Sequence, residues 1–291
     1  MKQNHRGETT AHRIEEGIRE FVATSPDNTL RNGTVEKAWA EPLVGFSSGD
    51  DPLYLEFKEH VGPFHLTPAE LFNATFPSAE VAAAELSVVS WVLPQTEATL
   101  LEQRKETAHP SERWARSRVH GEAFNRKLHG HVVQALRAEG CEAVAPCLSP
   151  LWSLRVSDRY GMASTWSERH AAHACGLGTF GLCDGLITPK GKAMRCGSVV
   201  VRSFLPPTPR PYLDHRAWCL FYSRGTCKRC IRRCPAGAIS ERGHDKGKCR
   251  EYLFPGMVDY VKSAFGLEGY ACGLCQTGVP CETRIPADES T

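Results

Sequence analysis

The chain has 291 residues, 41% hydrophobic and 23% charged, with a formal net charge of +2. That balance suits a globular protein with one main core and a smaller second unit, and it argues for neither nucleic acid nor an anionic membrane as an obligatory partner. No run approaches the ~18 apolar residues of a membrane span, and the start, MKQNHRGETTAHRIEEGIRE, has no apolar signal core, so a cytoplasmic protein without membrane contact is expected.

In chain order, AHRIEEGIREFVA places Ile14, Ile18, Phe21 and Val22 near helical spacing. Residues 40–72 alternate turn signals with short apolar runs. LSVVSWVL, residues 86–93, reads as a buried strand stopped by Pro94. Residues 111–140 read as one long helix ending at Gly140, with Trp114, Val119, Phe124, Leu128, Val132, Val133 and Leu136 as its apolar stripe. CEAVAP is a further strand. In WSERHAAHACGLGTFGLCDGLITPKGKAMRCGSVVV, residues 166–201, a helix starts near Ser167 and ends into Gly176 or Gly178. LIT and GSVVV are two strands joined at PKGK. The succession indicates an α/β layer fold, α+β in detail. Gly176, Gly178, Gly181 and Gly185 would let backbone N–H groups approach a ligand closely. The alternative is a tight turn with no ligand. A dinucleotide-binding reading fails, because these glycines follow a helix instead of linking a strand to one.

Thirteen cysteines need a reason in a reducing compartment, where disulfides are rare. Eight fall in the last quarter: Cys219, Cys227, Cys230, Cys234, Cys249, Cys272, Cys275 and Cys281. Two [4Fe-4S] clusters need eight thiolates. GTCKRCIRRCPAGAIS carries three cysteines and the proline of the run C-x2-C-x2-C-x3-C-P, but Arg224 stands where its first cysteine belongs. In two-cluster proteins the cysteine before proline ligates the other cluster. The expected sets are therefore Cys219, Cys227, Cys230 and Cys281 for one cluster, and Cys234, Cys249, Cys272 and Cys275 for the other. Cys219 replaces the missing thiolate. C-x2-C pairs also build zinc sites, but the small residues of CPAGAIS suit backbone donation to sulfide.

With ERHAAHACGLGTFG followed by this cysteine run, residues from about 85 to 285 resemble the epoxyqueuosine reductases and, more distantly, the reductive dehalogenases. The resemblance implies three parts: an N-terminal segment (1–85) packing on the core, a nitroreductase-like cobalamin-binding domain (86–212) and a two-cluster ferredoxin-like module (213–291). It implies base-off cobalamin held by the glycine-rich segment, with Gly176, Leu177, Gly178, Gly181, Gly185 and His173 as contacts. The chain also departs from the family. The family's aspartate, six residues before the ER pair, falls on Met162, leaving Tyr160 and Asp158 as proton-donor candidates. Its lysine–asparagine after GLGxxG is Leu182–Cys183, and its last cysteine motif reads VPCETR. The resemblance therefore implies a cobalamin-dependent reductase of another small-molecule substrate, fed by a ferredoxin or flavodoxin-type donor. Two alternatives are an electron carrier or corrinoid reductase without its own substrate, and an epoxyqueuosine reductase acting on tRNA. The basic residues Arg224, Lys228, Arg229, Arg232 and Arg233 could steer a tRNA or an acidic donor. His170 and His173, three apart on one helix, share a face.

Overall fold

A computed structural model describes residues 2–78 and 80–287. Helix α1 (Lys2–Thr24) precedes strand β1 (Leu43–Ser48), helices α2 (Leu53–Val61) and α3 (Pro68–Thr75), and strand β2 (Ser87–Pro94). Next come α4 (Glu97–Gln103), α5 (Glu112–Arg116), α6 (Glu122–Ala138), β3 (Ala143–Val144), the hairpin β4 (Leu154–Ser157) and β5 (Gly161–Ser164), and α7 (Glu168–Ala174). β6 (Thr179–Phe180), β7 (Leu186–Ile187) and β8 (Met194–Val201) follow. The C-terminal part holds α8 (Leu220–Arg224), α9 (Arg229–Arg233), β9 (Ile239–Ser240), β10 (Gly243–His244), α10 (Lys246–Tyr252) and α11 (Val258–Phe265).

The central sheet has the order β1-β2-β8-β3, and every neighbouring pair is antiparallel. β2 is buried along its whole length, and its alternation shows why. Val89, Trp91 and Leu93 face α1 and α6, joining Ile18, Phe124 and Leu128. Val88 and Val92 face the other way, joining Tyr54, Phe57, Leu71 and the alanines of α7. A period of two with both faces covered requires an apolar run, which is what residues 86–93 present. Residues 1–85 supply an edge strand, β1, as well as helical cover.

Three local expectations change. The long helix expected over residues 111–140 is present and unbroken from Glu112 to Ala138, but it widens to a π-helical turn at Ser117–Gly121 between α5 and α6. There Trp39 packs against Gly121 and donates from Nε1 to its carbonyl at 2.9 Å; a Cβ on Gly121 would lie 2.8 Å from the indole. CEAVAP yields only the two-residue β3 before Pro146 opens a 3-10 turn. The strands either side of PKGK belong to different sheets: β7 pairs with β6, and β8 with β2 and β3.

The C-terminal part docks through two apolar contacts. Leu182 and Ile187 meet Ile239 and Val279, and Leu100 and Trp114 meet Val261, Leu267 and Ala271. Arg233 ties the joint, donating to the carbonyls of Thr277 (2.9 Å) and Glu106 (2.7 Å). It is thus an internal strut and not part of a solvated basic face. Lys228 is paired with Glu241, while Arg229 and Arg232 are exposed.

Candidate active site

A cavity of about 650 Å³ lies where α2, the β4–β5 hairpin, α7 and α10 converge. Helix α7 forms its floor. Ser167 caps the helix by accepting from the His170 N–H, and Ala171, Ala172 and Ala174 pack on the sheet. That registration turns His170 and His173 to the cavity, so the expected shared face is present. His173 is bonded through Nδ1 to the Gly178 carbonyl at 2.7 Å. Since a carbonyl only accepts, Nδ1 carries the proton and Nε2 is left as an acceptor. Tyr212 stacks on the ring and donates to the His173 carbonyl at 2.7 Å. Burial pushes His173 down to about 4, against the Gly178 bond, and drives His170 well below its ordinary value. Both imidazoles are neutral at pH 7. Phe57 and Phe180 pack on His170 at 4.7 and 4.9 Å between ring centres, giving the floor an apolar wall.

The mouth is cationic. Arg159, Arg169, Arg216, Lys246 and Arg250 all line the cavity, and their partners are rings, an imidazole and carbonyls. Arg169 donates to the Asp184 carbonyl and Arg159 meets His60 Nδ1. Arg216 lies 4.0 Å over Tyr222, Arg250 5.0 Å over Phe254 and Lys246 5.3 Å over Tyr160. Burial lowers the pKa of Lys246 and the nearby Arg169 adds to this, while Asp184 opposes.

The proton-donor candidates separate. Tyr160 lines the cavity beside Lys246. Asp158 is exposed in the hairpin turn, outside the lining. Met162 also lines the cavity. Among the expected cofactor contacts, Gly181 and His173 line it, whereas Gly176, Leu177, Gly178 and Gly185 do not. A Cβ on Gly178 would sit 2.4 Å from the Ile187 carbonyl oxygen, and one on Gly176, at φ +77°, would sit 2.9 Å from that of Pro209. These two glycines admit neighbouring backbone of the same chain. Leu177 is buried in the core.

The cysteines gather behind this cavity. Cys219, Cys227, Cys230 and Cys281 line one small void of about 20 Å³ together with Lys192, Leu182 and Ile187. Cys219 reaches it from the N-cap position of α8. The second four are also neighbours: Cys272 interacts with Cys249 and Cys234, and Cys275 with Cys272. Cys249 additionally lines the large cavity, so the second group borders it and the first lies deeper. Cys183 bridges them, interacting with Cys230 of one and Cys275 of the other. Lys192 is buried, with Nζ 3.3 Å from the Cys183 sulfur. Burial disfavours its charge, but the nearby sulfurs, Cys183 first and then Cys281, Cys230 and Cys275, outweigh this and raise its pKa. Two four-thiol sets, one walled by a buried ammonium, suit an anionic iron–sulfur group. Sequence reasoning missed Lys192 and Lys246, because both stand in stretches, PKGK and GHDKGK, that read as polar turns. By contrast Cys175, pushed up to about 12 by burial, is a core thiol near Ser47 and the Val88 carbonyl.

No family model matches the chain. Among curated proteins, the epoxyqueuosine reductases of Bacillus anthracis and Bacillus cereus are each 29% identical over 119 residues, 39% of this chain and 29% of the relative. The match therefore spans less than a third of those relatives' length. Among solved structures, epoxyqueuosine reductase from Bacillus subtilis aligns over 96% of this chain and 68% of its own, with a TM-score of 0.51 and 17% identity. A reductive dehalogenase, studied for B12-dependent dehalogenation, aligns over 84% of this chain and 30% of its own, with a TM-score of 0.51 and 16% identity. The chain resembles both groups, as its motifs imply, and shares their mixed helix-and-sheet fold.

Proposed function

We propose that this chain is an oxidoreductase that holds two [4Fe-4S] clusters and a base-off cobalamin and reduces a substrate bound in the large cavity. The single observation that carries the reading is that Cys249, one of eight clustered cysteines, stands in the wall of a cavity large enough for a ligand. Two family likenesses support it, one of them to a protein described as B12-dependent. When bound, these groups supply single electrons and a cobalt centre that can react with the substrate. The protein's own residues do the rest. Cys219, Cys227, Cys230 and Cys281 hold one cluster; Cys234, Cys249, Cys272 and Cys275 hold the other. In this reading residues 86–212 form the nitroreductase-like cobalamin domain and residues 213–291 the ferredoxin-like module. Phe57, Phe180 and Gly181 give the corrinoid an apolar seat, and neutral His170 and His173 add no charge beneath it.

The cationic mouth favours a substrate with a carboxylate or phosphate, which would supply the counter-charge those side chains lack in carbonyls and rings. Tyr160 and Lys246 are the groups placed to deliver a proton; the Met162 side chain has none to give. A pure electron carrier would have no use for such a cavity, which favours a reductase with its own substrate. The exposed Arg229 and Arg232 suit docking of an acidic ferredoxin or flavodoxin-type donor.

The test is anaerobic purification with iron, sulfide and zinc analysis, followed by titration with cobalamin. About eight iron and eight sulfide per chain are expected for two such clusters, and the corrinoid spectrum should change to the base-off form on binding. A zinc-loaded product without sulfide would refute the cluster assignment. No cobalamin binding at micromolar concentration would leave an iron–sulfur electron carrier.

A further inference from the structure

A buried ammonium requires a buried negative charge; otherwise it is cheaper for the group to lose its proton. Lys192 is 3% exposed. Its Nζ lies 3.3 Å from the Cys183 sulfur, and Cys219, Cys227, Cys230 and Cys281 share the void it lines. The nearby carboxylate, Glu282, is committed elsewhere. It pairs with Arg104 at 2.6 Å and accepts the Gly278 N–H at 3.1 Å. The anionic partners of Lys192 are therefore sulfurs.

The backbone that carries the lysine is also fixed. Its N–H donates to the Cys281 carbonyl at 2.9 Å, and the next residue, Ala193, donates to the Glu282 carbonyl at 3.3 Å. Gly191, just before it, has φ +79°, and a Cβ there would lie 2.0 Å from the Glu282 oxygen. One short backbone ladder thus joins the main chains of Lys192 and Cys281, a cysteine of the first group, and the Cys183 sulfur holds the ammonium. At the second group, His244, beside Cys249, is paired with Asp184 at 3.2 Å.

We infer that Lys192, held by Cys183, is the built-in counter-charge of the cluster carried by Cys219, Cys227, Cys230 and Cys281 and raises that cluster's reduction potential. This rests on the cluster assignment above. Reduction brings one electron from an external low-potential donor protein, breaks no bond and makes the cluster one unit more negative. A fixed positive charge against its sulfurs stabilises the reduced form more than the oxidised one, because potential follows net charge and hydrogen bonding to sulfur. Lys192 is a positioning residue for charge; it touches neither substrate nor corrinoid. A raised potential makes this cluster easier for the external donor to reduce.

The experiment is an anaerobic potentiometric titration, followed by electron paramagnetic resonance, of the holoprotein and its Lys192→Met and Lys192→Arg variants. In Lys192→Met one of two midpoint potentials should fall by at least the equivalent of tenfold in the reduction constant, about 59 mV for one electron. The other, whose Cys275 is the weakest sulfur partner of Lys192, should move clearly less, and Lys192→Arg should keep both. Unchanged potentials, or equal shifts of both, would overturn the inference. If Lys192→Met loses half its iron, retention of full iron by Lys192→Arg supports a charge requirement. Equal loss in both variants shows that only the shape of lysine matters and overturns it. Unmodified protein without iron or sulfide would instead remove the cluster assignment itself.

Discussion

His173 offers a test in which the magnitude follows from the structure. Its ring is 4% exposed, and burial lowers its pKa to about 4 in the folded protein, against about 6.5 in the unfolded chain. The neutral form is therefore favoured by folding. Above pH ~6.5 neither state binds the proton, and the group leaves stability unaffected. Between pH ~6.5 and ~4 the unfolded chain binds more protons, so stability falls as the pH drops. The full loss is about 3 kcal/mol, and about 2 kcal/mol is already lost at pH 5. His170 and His65 are shifted in the same direction by burial, so the wild-type curve alone is not diagnostic. His173→Gln isolates the term, since its amide can still donate to the Gly178 carbonyl. Anaerobic urea unfolding of both proteins at pH 8 and pH 5, with iron monitored, gives the comparison. The variant should lose about 2 kcal/mol less than wild type between those pH values. Parallel pH dependences would refute the argument and mean that His173 takes up its proton in the folded state at an ordinary pH.

Cys219→Ser should lower iron from about eight to about four per chain and leave the second cluster's spectrum intact; full iron content would show that another group supplies the fourth ligand. Gly178→Val should destabilise the protein by about 1–3 kcal/mol or more, read as a lower thermal midpoint, because its Cβ would meet the Ile187 carbonyl. An unchanged midpoint with loss of cobalamin would show instead that this glycine admits the cofactor. With tRNA carrying epoxyqueuosine and a strong reductant, turnover should stay well below the ~1 s⁻¹ of ordinary enzymes, since Met162 replaces the expected acid. If turnover does reach that rate, Tyr160→Phe and Lys246→Met should be compared, and the true donor should cost about 10²–10⁴-fold.

The cysteine grouping was legible because thiolate ligands recur at fixed short spacings, and proline after Cys234 marks a crossing between clusters. Strand β2 and helix α7 were legible for an equally local reason: an apolar run bounded by proline, and a serine cap before alanines. The glycines are ambiguous in sequence because glycine reports only that something approaches closely. At Gly178 the neighbour is the Ile187 carbonyl, nine places on and across the β6–β7 pair. The cavity itself was hidden because its lining comes from segments as far apart as Leu53 and Tyr270, and no window of sequence contains both. The π-helical turn at Ser117–Gly121 was hidden because its packing partner, Trp39, is remote in sequence.

The two missed lysines show what the fold adds to composition. By sequence both belong to polar turns, and the usual expectation is a solvated ammonium. In the structure neither makes a carboxylate salt bridge among the described residues. Lys246 stands at the mouth, over Tyr160 and near Asp184, where a substrate that comes and goes can add negative charge. Lys192 stands at the back, against sulfur, where the charge must be resident. A cation that water reaches needs no resident partner, whereas a buried one does. On the proposed function, the cations at the mouth would select what enters and the buried one would act on what the protein holds.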